Sequence, residues 1–283
     1  MRHLYECAIR WADMDVLGHV NNVTYVDYLQ EARIDMMAVH ADMRGGEELA
    51  EGVVVVRHEI EFVAPLVFRR KPVLVETWVE QIRAASFTMA YEIYSETDAG
   101  RIVHLRARSV LAPYRFADEM PRRISPPERE FLERYLEEAP PHRKLELVKG
   151  EPRHEYALKV RWSDIDAYQH VNNVQYLEFF QEARISYVMT LHNRSDGRWS
   201  HHAVGRVDVS YRRPMLFRLE PYAVRSWVSH VGTKSFTISS EVLDGDEVLA
   251  HSDVVMVAFD AETQRATDMN VHQRERLLAE LPD

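Results

Sequence analysis

The sequence predicts an α+β protein made of two tandem copies of one domain, each an antiparallel sheet wrapped around one long helix. The first observation is a gapless internal repeat: residues 10–37 recur 151 positions later as 161–188, with 15 of 28 positions identical. The second is a helix after each motif that is apolar on nearly every side and is therefore buried. The third is a run of segments with alternating polar and apolar residues, which is typical of antiparallel strands.

The bulk composition is that of a globular protein with two ordinary cores. The chain has 283 residues, of which 46% are hydrophobic. Its net charge of −10 argues against a general nucleic-acid binder. The single cysteine, Cys7, excludes an intrachain disulfide and favours a reducing compartment. With no apolar run long enough for a membrane span or signal peptide, we expect a cytoplasmic protein.

The first copy begins with a strand at 3–11 and a loop at 12–20. Asn21 or Asn22 is a suitable N-cap for a helix over about 22–40. The later segments predict four strands, over 57–62, 73–82, 86–94 and 101–112. A closing helix is predicted over 126–138, starting after Ser125.

The second copy repeats this order, and its later strands match the first copy at an offset of 149. Pro140, Pro141 and Gly150 mark a linker. We predict a first domain over 1–139, a linker over 140–153 and a second domain over 154–283. The expected elements of the second copy are 154–162, the helix 173–191, the strands 203–211, 221–231, 234–243 and 247–259, and a last helix at 270–281.

Two aspartates carry the predicted chemistry. Asp15 lies in a loop seven residues before Asn22, and Asp166 has the same relation to Asn173. A helix start supplies unpaired N–H groups and the positive end of the helix dipole, which suit an oxyanion forming on a carbonyl. A carboxylate beside it can attack that carbonyl or take a proton from water. A thioester suits this equipment because a thiol with a pKa of about 8.5 leaves as thiolate without an acid.

Plainer roles compete for several residues of the motif. Asp13 and Asp164 begin the turn and are better explained as capping residues. His19 and His170 fit acid–base chemistry and a backbone-bonded role equally well. Asn22 and Asn173 either position substrate or cap the helix. Glu31 with Arg33, and Glu182 with Arg184, favour buried pairing or interdomain contacts over catalysis. No spacing in the sequence indicates a metal site.

Basic residues precede the two Ser-Phe-Thr strands. Arg83 and Lys234 stand at turn positions, where they can contact phosphate groups or simply be solvated. The runs Arg69–Lys71 and Arg212–Arg213 carry the same alternatives.

The motif Asp-x-Asp-x-x-x-His-Val-Asn-Asn-x-x-Tyr, followed by Gln-Glu-Ala-Arg, resembles the hot-dog-fold thioesterases in both copies. It is similar to the 4-hydroxybenzoyl-CoA and acyl-CoA thioesterase type and to the acyl-ACP thioesterases. The resemblance implies two tandem hot-dog domains joined as a pseudo-dimer, which hydrolyse acyl-CoA or acyl-ACP thioesters to free acid and thiol. It implies no cofactor, since coenzyme A is part of the substrate, and a possible homo-oligomer of the two-domain chain.

Carried over by position, the resemblance makes Asp15 and Asp166 the catalytic carboxylates. Asn22, Asn173, His19 and His170 become oxyanion or substrate-positioning residues, and Arg83 and Lys234 become contacts for the CoA phosphates. The acyl-ACP branch has an asparagine two residues after its aspartate, where this chain has Leu17 and Tyr168.

Two rival functions fit the same fold. A hot-dog hydratase pairs its aspartate with a histidine five residues on and an Asn-Pro; here the histidine is four residues on and no proline follows. A non-catalytic acyl-CoA-binding protein is the other alternative. A thiol-release assay over a panel of acyl-CoAs separates the three.

Overall fold

The computed structural model describes residues 1–283 except 39–48, 50–51, 118, 140–149, 194–198, 261, 264 and 282–283. The chain divides into two compact units, residues 1–143 and 144–283. The domain limits 1–139 and 154–283 remain predictions. Most of the predicted linker 140–153 lies outside the described residues.

The first unit is an antiparallel sheet with one long helix packed against it. The strands follow the order β1-β3-β4-β5-β2 across the sheet. The elements in chain order are β1 (His3–Cys7), α1 (Thr24–Ala38), β2 (Val53–Phe62), β3 (Val73–Ile82), β4 (Phe87–Thr97), β5 (Gly100–Arg115), β6 (Met120–Pro121) and α2 (Pro126–Glu133).

The second unit repeats the architecture. Its strands follow the order β7-β9-β10-β11-β8, which is the first unit's order with each strand replaced by its repeat. The elements are β7 (His154–Leu158), α3 (Asn173–Asn193), β8 (His201–Tyr211), β9 (Tyr222–Val231), β10 (Ser235–Asp244), β11 (Glu247–Asp260), β12 (Arg265–Ala266) and α4 (Val271–Leu278).

The helix α1 is the core of the first unit, as its apolar sequence predicts. It packs against β1 and β3, and Leu29 and Met36 are completely inaccessible to solvent. Burying each of these side chains contributes roughly 1.5–3 kcal/mol to folding. In the second unit, Phe180 and Tyr187 fill corresponding positions of α3. No helix in the described ranges has the length and apolarity needed to cross a membrane.

The helix α2 begins where Ser125 predicts. The Ser125 hydroxyl accepts a hydrogen bond from the N–H of Glu128, whose carboxylate accepts in return from the Ser125 N–H. This reciprocal capping box satisfies two N–H groups that the helix itself leaves unpaired. The predicted end at 138 is too long, because the helix ends at Glu133.

Two further expectations require correction. The strand predicted over 3–11 ends at Cys7, and a 3-10 turn occupies Trp11–Asp13. Glu31 does not pair with Arg33: Glu31 is exposed, whereas Arg33 is buried and its Nη1 has no hydrogen-bond partner among the described residues. Residues two apart on a helix point in different directions, which explains the separation.

Candidate active site

The motif loop of the first unit is anchored by a buried aspartate. Asp13 accepts hydrogen bonds from the Arg10 N–H (2.7 Å), the Arg10 Nε (2.9 Å) and the Tyr28 hydroxyl (2.6 Å). Burial alone would raise the pKa of Asp13, but these donors hold it below its ordinary value. Asp13 is therefore a structural carboxylate, in the turn role predicted for it.

Asp15 is held differently, by the backbone of its own loop. Its Oδ1 accepts from the Leu17 N–H at 2.8 Å and from the His19 N–H at 3.4 Å. The Asp15 N–H in turn donates to the His19 carbonyl at 2.8 Å. Among the described residues, Oδ2 of Asp15 accepts no hydrogen bond, so one carboxylate oxygen is fixed and the other is available. Asp15 is only half-buried, so its carboxylate can be reached.

Asp166 repeats this geometry in the second unit. Its Oδ1 accepts from the Tyr168 N–H at 2.9 Å and from the His170 N–H at 3.3 Å. Its own N–H donates to the His170 carbonyl at 2.8 Å. The two histidines thus hold the loop through their backbones. The role of their rings in acid–base chemistry or substrate positioning stays a prediction.

The start of each buried helix lies directly after the loop. The side chain of Asn21 accepts from the Val23 N–H at 2.8 Å, and Asn172 accepts from the Val174 N–H at 2.9 Å. These asparagines are the caps. Capping therefore does not explain Asn22 and Asn173, which are half-buried and stand one residue further on.

A tyrosine on each helix ties the loop to a second segment, and sequence reasoning assigned it only to the core. The Tyr25 hydroxyl accepts from the Leu66 N–H, while the Leu66 carbonyl accepts from the Val20 N–H of the motif loop at 2.8 Å. Burial raises the pKa of Tyr25, the Leu66 N–H opposes the rise, and the charge of Asp15 adds to it.

The second unit has the same clamp around Met215. The Met215 N–H donates to the Tyr176 hydroxyl at 2.7 Å, and the Met215 carbonyl accepts from Val171 at 2.9 Å. A signal was present in the sequence: Pro65-Leu66-Val67-Phe68-Arg69 recurs as Pro214-Met215-Leu216-Phe217-Arg218. The repeat predicts that these segments share a role, but not that their backbones hold the motif loop.

The predicted phosphate contacts lie at hairpin turns away from the motif contacts just described. Arg83, between β3 and β4, is exposed and donates from Nε to the Gln81 side chain at 2.9 Å. Lys234, between β9 and β10, is exposed and lies 3.9 Å from Asp268. Neither cation hydrogen-bonds to a motif loop in the described part of the chain. Within the same residues, no group of three or more His, Cys, Asp or Glu side chains is arranged to hold a metal ion.

The fold and the duplicated motif define a class of enzyme. The profile of the Thioesterase-like superfamily matches residues 9–138 and again 160–277, so the chain belongs to that family. The tandem hot-dog fold and the thioester hydrolase class predicted from the sequence are thereby confirmed.

Two curated relatives each match a stretch of this chain that is about as long as one copy of the repeat. The long-chain acyl-CoA thioesterase FadM of Escherichia coli (strain K12) is 32% identical over 127 residues, which cover 42% of this chain and 93% of FadM. The uncharacterized protein YsmA of Bacillus subtilis (strain 168) is 32% identical over 126 residues, which cover 43% of this chain and 82% of YsmA.

Solved structures share the fold over nearly the whole chain. A putative oleoyl thioesterase from Lactobacillus plantarum has a TM-score of 0.74 and 15% identity, covering 92% of this chain and 97% of that one. The 12:0-ACP thioesterase from Umbellularia californica has a TM-score of 0.66 and 17% identity, with coverage of 92% and 97%. At these identities the likeness concerns the fold alone.

Proposed function

We propose that the protein hydrolyses long-chain acyl-CoA thioesters at two sites, one led by Asp15 and the other by Asp166. The observation that carries the proposal is the pair of carboxylates, each fixed through one oxygen at the start of a buried helix. The preference for long-chain acyl-CoA over acyl-ACP is supported by the likeness to FadM at 32% identity. We further propose that the enzyme acts in the cytoplasm, where its buried, unpaired Cys7 stays reduced.

The proposed reaction begins with the thioester carbonyl beside the helix start. Among the described residues, the N–H groups of Asn22 and Thr24 have no acceptor, so they suit the oxyanion that forms on the carbonyl oxygen. The free oxygen of Asp15 either attacks the carbonyl carbon or takes a proton from an attacking water. The carbon–sulfur bond then breaks and coenzyme A leaves as thiolate, which needs little acid help at a pKa of about 8.5. Where Asp15 is the nucleophile, water then hydrolyses the acyl–aspartyl anhydride, which releases the free acid and restores the carboxylate.

The remaining predicted residues have supporting roles in this proposal. The Asn22 and Asn173 side chains orient the substrate or the water, since the preceding asparagines do the capping. The rings of His19 and His170, whose backbones hold the carboxylates, are proposed to position the substrate. Arg83 and Lys234 are proposed to meet the phosphates of coenzyme A from their exposed turns.

The test is thiol release from a panel of acyl-CoAs by purified full-length variants. Replacing both catalytic candidates, Asp15→Asn with Asp166→Asn, is expected to lower kcat at least about 100-fold, the lower range for loss of a positioned base. Each single variant is expected to keep roughly half the activity if both sites turn over. Asp27→Asn is the matched control, because Asp27 is a half-buried aspartate of α1, the helix that follows the Asp15 loop, and has no proposed role.

Two outcomes contradict the proposal in different ways. Thiol release that survives the double substitution removes the catalytic assignment but keeps the enzyme class. Tight acyl-CoA binding without release by the wild-type chain instead favours the non-catalytic binding protein.

A further inference from the structure

A cluster of large apolar side chains is exposed beside the motif loop of the first unit. We call it the loop-tip patch: Trp11, Val16, Leu17, Val67 and Phe68. Trp11 is 76% exposed and its ring meets that of Phe68 edge-on at 5.4 Å. Val16 is completely exposed at the tip of the loop. The hydrogen bond from Val20 to the Leu66 carbonyl holds the two segments together, so the patch is continuous.

The second unit repeats the patch rather than burying it. Trp162 is also 76% exposed and meets the ring of Phe217 edge-on at 5.4 Å. Leu216 and Tyr168 are exposed beside this pair, and Leu219 is 83% exposed. Isolated apolar residues on a surface need no explanation, but a clustered patch marks a site of protein or membrane interaction.

Basic residues border the patch of the first unit. Phe68 is followed directly by Arg69, Arg70 and Lys71, and the last two are exposed. Arg70 and Lys71 form no ion pair with any described residue, unlike most of the described arginines. A local cluster of cations on a chain with a net charge of −10 acts against the overall field, and it favours an anionic surface.

We propose that the loop-tip patch of the first unit, together with Arg69–Lys71, docks the protein onto the surface of an anionic lipid bilayer, and that the repeat of the patch makes a contact of the same kind for the second unit. Exposed Trp, Phe and Leu side chains with adjacent Lys and Arg are the combination that lies in a membrane interface without crossing it. The apolar residues stand in turns and loops, with cations directly following Phe68 in the sequence, and this pairing of apolar and basic residues favours an anionic lipid surface. Docking would place the loop of Asp15, which carries Val16 and Leu17, next to the surface where amphiphilic substrates gather.

The experiment is co-sedimentation of the full-length protein with vesicles of phosphatidylcholine, with and without phosphatidylglycerol. We expect binding to the anionic vesicles, weakened by salt, with a blue shift of tryptophan emission. The charge reversal Arg70→Glu with Lys71→Glu is expected to lower partitioning at least about tenfold, since each cation near an anionic surface contributes several-fold. The double variant Trp11→Ser with Trp162→Ser is expected to abolish both the binding and the blue shift.

Two controls keep this test separate from the question of catalysis. Val271→Ser removes a 61% exposed apolar side chain from α4, outside the patch, and should bind vesicles as the wild type does. Thiol release from a short, water-soluble acyl-CoA should be unchanged in the tryptophan variant, which also shows that it is folded.

Three results would overturn the proposal. The first is absence of binding to either vesicle by the wild type. The second is binding that the tryptophan and charge variants leave intact. The third is a fall in particle mass in the tryptophan variant without vesicles, which would make the patch a contact between copies of the chain.

Discussion

At the scale of single residues, the two copies of the motif differ in how their structural aspartate is held. Asp13 receives a hydrogen bond from the Tyr28 hydroxyl at 2.6 Å. The equivalent helix position in the second unit is Phe179, so Asp164 relies on Arg161, whose N–H donates at 2.7 Å. Both aspartates are nonetheless buried. The hydroxyl of Tyr28 is thus an addition to a loop that folds without it.

Tyr28→Phe therefore isolates the contribution of one buried bond to a charged acceptor. We expect the free energy of unfolding to fall by about 1.5 kcal/mol, the lower range for such bonds, because Asp13 keeps its donors from Arg10. Urea unfolding monitored by circular dichroism measures the change. Tyr28→Phe keeps the aromatic ring, so packing is largely preserved, and Phe179→Tyr tests whether Asp164 can gain the missing bond. Equal stability of Tyr28→Phe and wild type would show that the hydroxyl contributes nothing.

Residue-level prediction reached the catalytic candidates but not their surroundings. The repeat places Asp15 and Asp166, since both stand in a loop before a buried helix. It does not predict the left-handed backbone at the loop's turn, where Gly18 has φ +77° and the equivalent Gln169 has φ +66°. Glycine favours this conformation and glutamine does not, so only the first copy carried the signal.

At the scale of elements, strand pairs in the two cores have diverged in polarity. His58 of β2 lies opposite Ser109 of β5, and its Nδ1 is 2.8 Å from the Ser109 hydroxyl, with both side chains fully buried. The corresponding pair in β8 and β11 is Val207 opposite Val254. Burial, with the cation of Arg33 adding to it, lowers the pKa of His58 to about 3, so this imidazole is neutral.

This divergence predicts a non-additive pair of substitutions. Ser109→Val leaves a buried nitrogen of His58 without this partner, which should cost about 1–3 kcal/mol of unfolding free energy. His58→Val should be destabilising for the same reason, whereas the double variant restores the apolar pair of the second unit. We expect it to be at least about 1 kcal/mol more stable than the sum of the single changes predicts. Urea unfolding of the four proteins completes the cycle, and strict additivity would rule out coupling between the two side chains.

The prediction of strands succeeded where polar and apolar residues alternate clearly along the sequence. The strand expected over 73–82 is β3, residue for residue, because its buried side chains alternate regularly from Val73 to Val79. The first strand was predicted too long, because the hydrogen bonds of Asp13 to Arg10 close a turn that hydrophobic periodicity does not register. The Leu66 and Met215 contacts were missed because they are made by backbone groups, which no side-chain pattern encodes.

At the scale of the whole molecule, some buried histidines lower the stability of the fold in acid and another lowers it in alkali. His58 and His202 have pKa values lowered to about 3 and about 4, chiefly by burial. In the native protein they stay neutral in mild acid while the unfolded chain takes up protons near pH 6.5, so stability falls as pH drops below that value. His251 has the reverse behaviour. Its burial favours the neutral form, but hydrogen bonds to Asp253 and Glu241 outweigh it and raise the pKa to about 9.

The loss of stability at alkaline pH can therefore be assigned to one cluster, formed by His251, Asp253 and Glu241. The His251 ring lies between two carboxylates, with Nε2 3.1 Å from Asp253 and Nδ1 3.4 Å from Glu241. The folded pKa is raised, so the stabilisation is fully present below pH 6.5. It is lost as pH rises toward about 9, at a slope of up to about 1.4 kcal/mol per pH unit. His251→Gln, which keeps a hydrogen-bonding side chain without a titrating proton, should flatten this slope while lowering stability at pH 6.

Urea unfolding at intervals from pH 6 to pH 9 measures the effect on the whole chain. Among the other described groups with raised pKa values, Cys7 contributes only near the top of this range, because the pKa of its thiol rises from an ordinary 9.0 to about 11. The buried tyrosines start from an ordinary value of 10.0 and contribute only above this range. His58→Val is the matched control, because it removes a buried histidine that titrates only on the acid side and should leave the alkaline slope unchanged. A slope that persists in His251→Gln would mean that the His251 cluster does not hold its proton through this range.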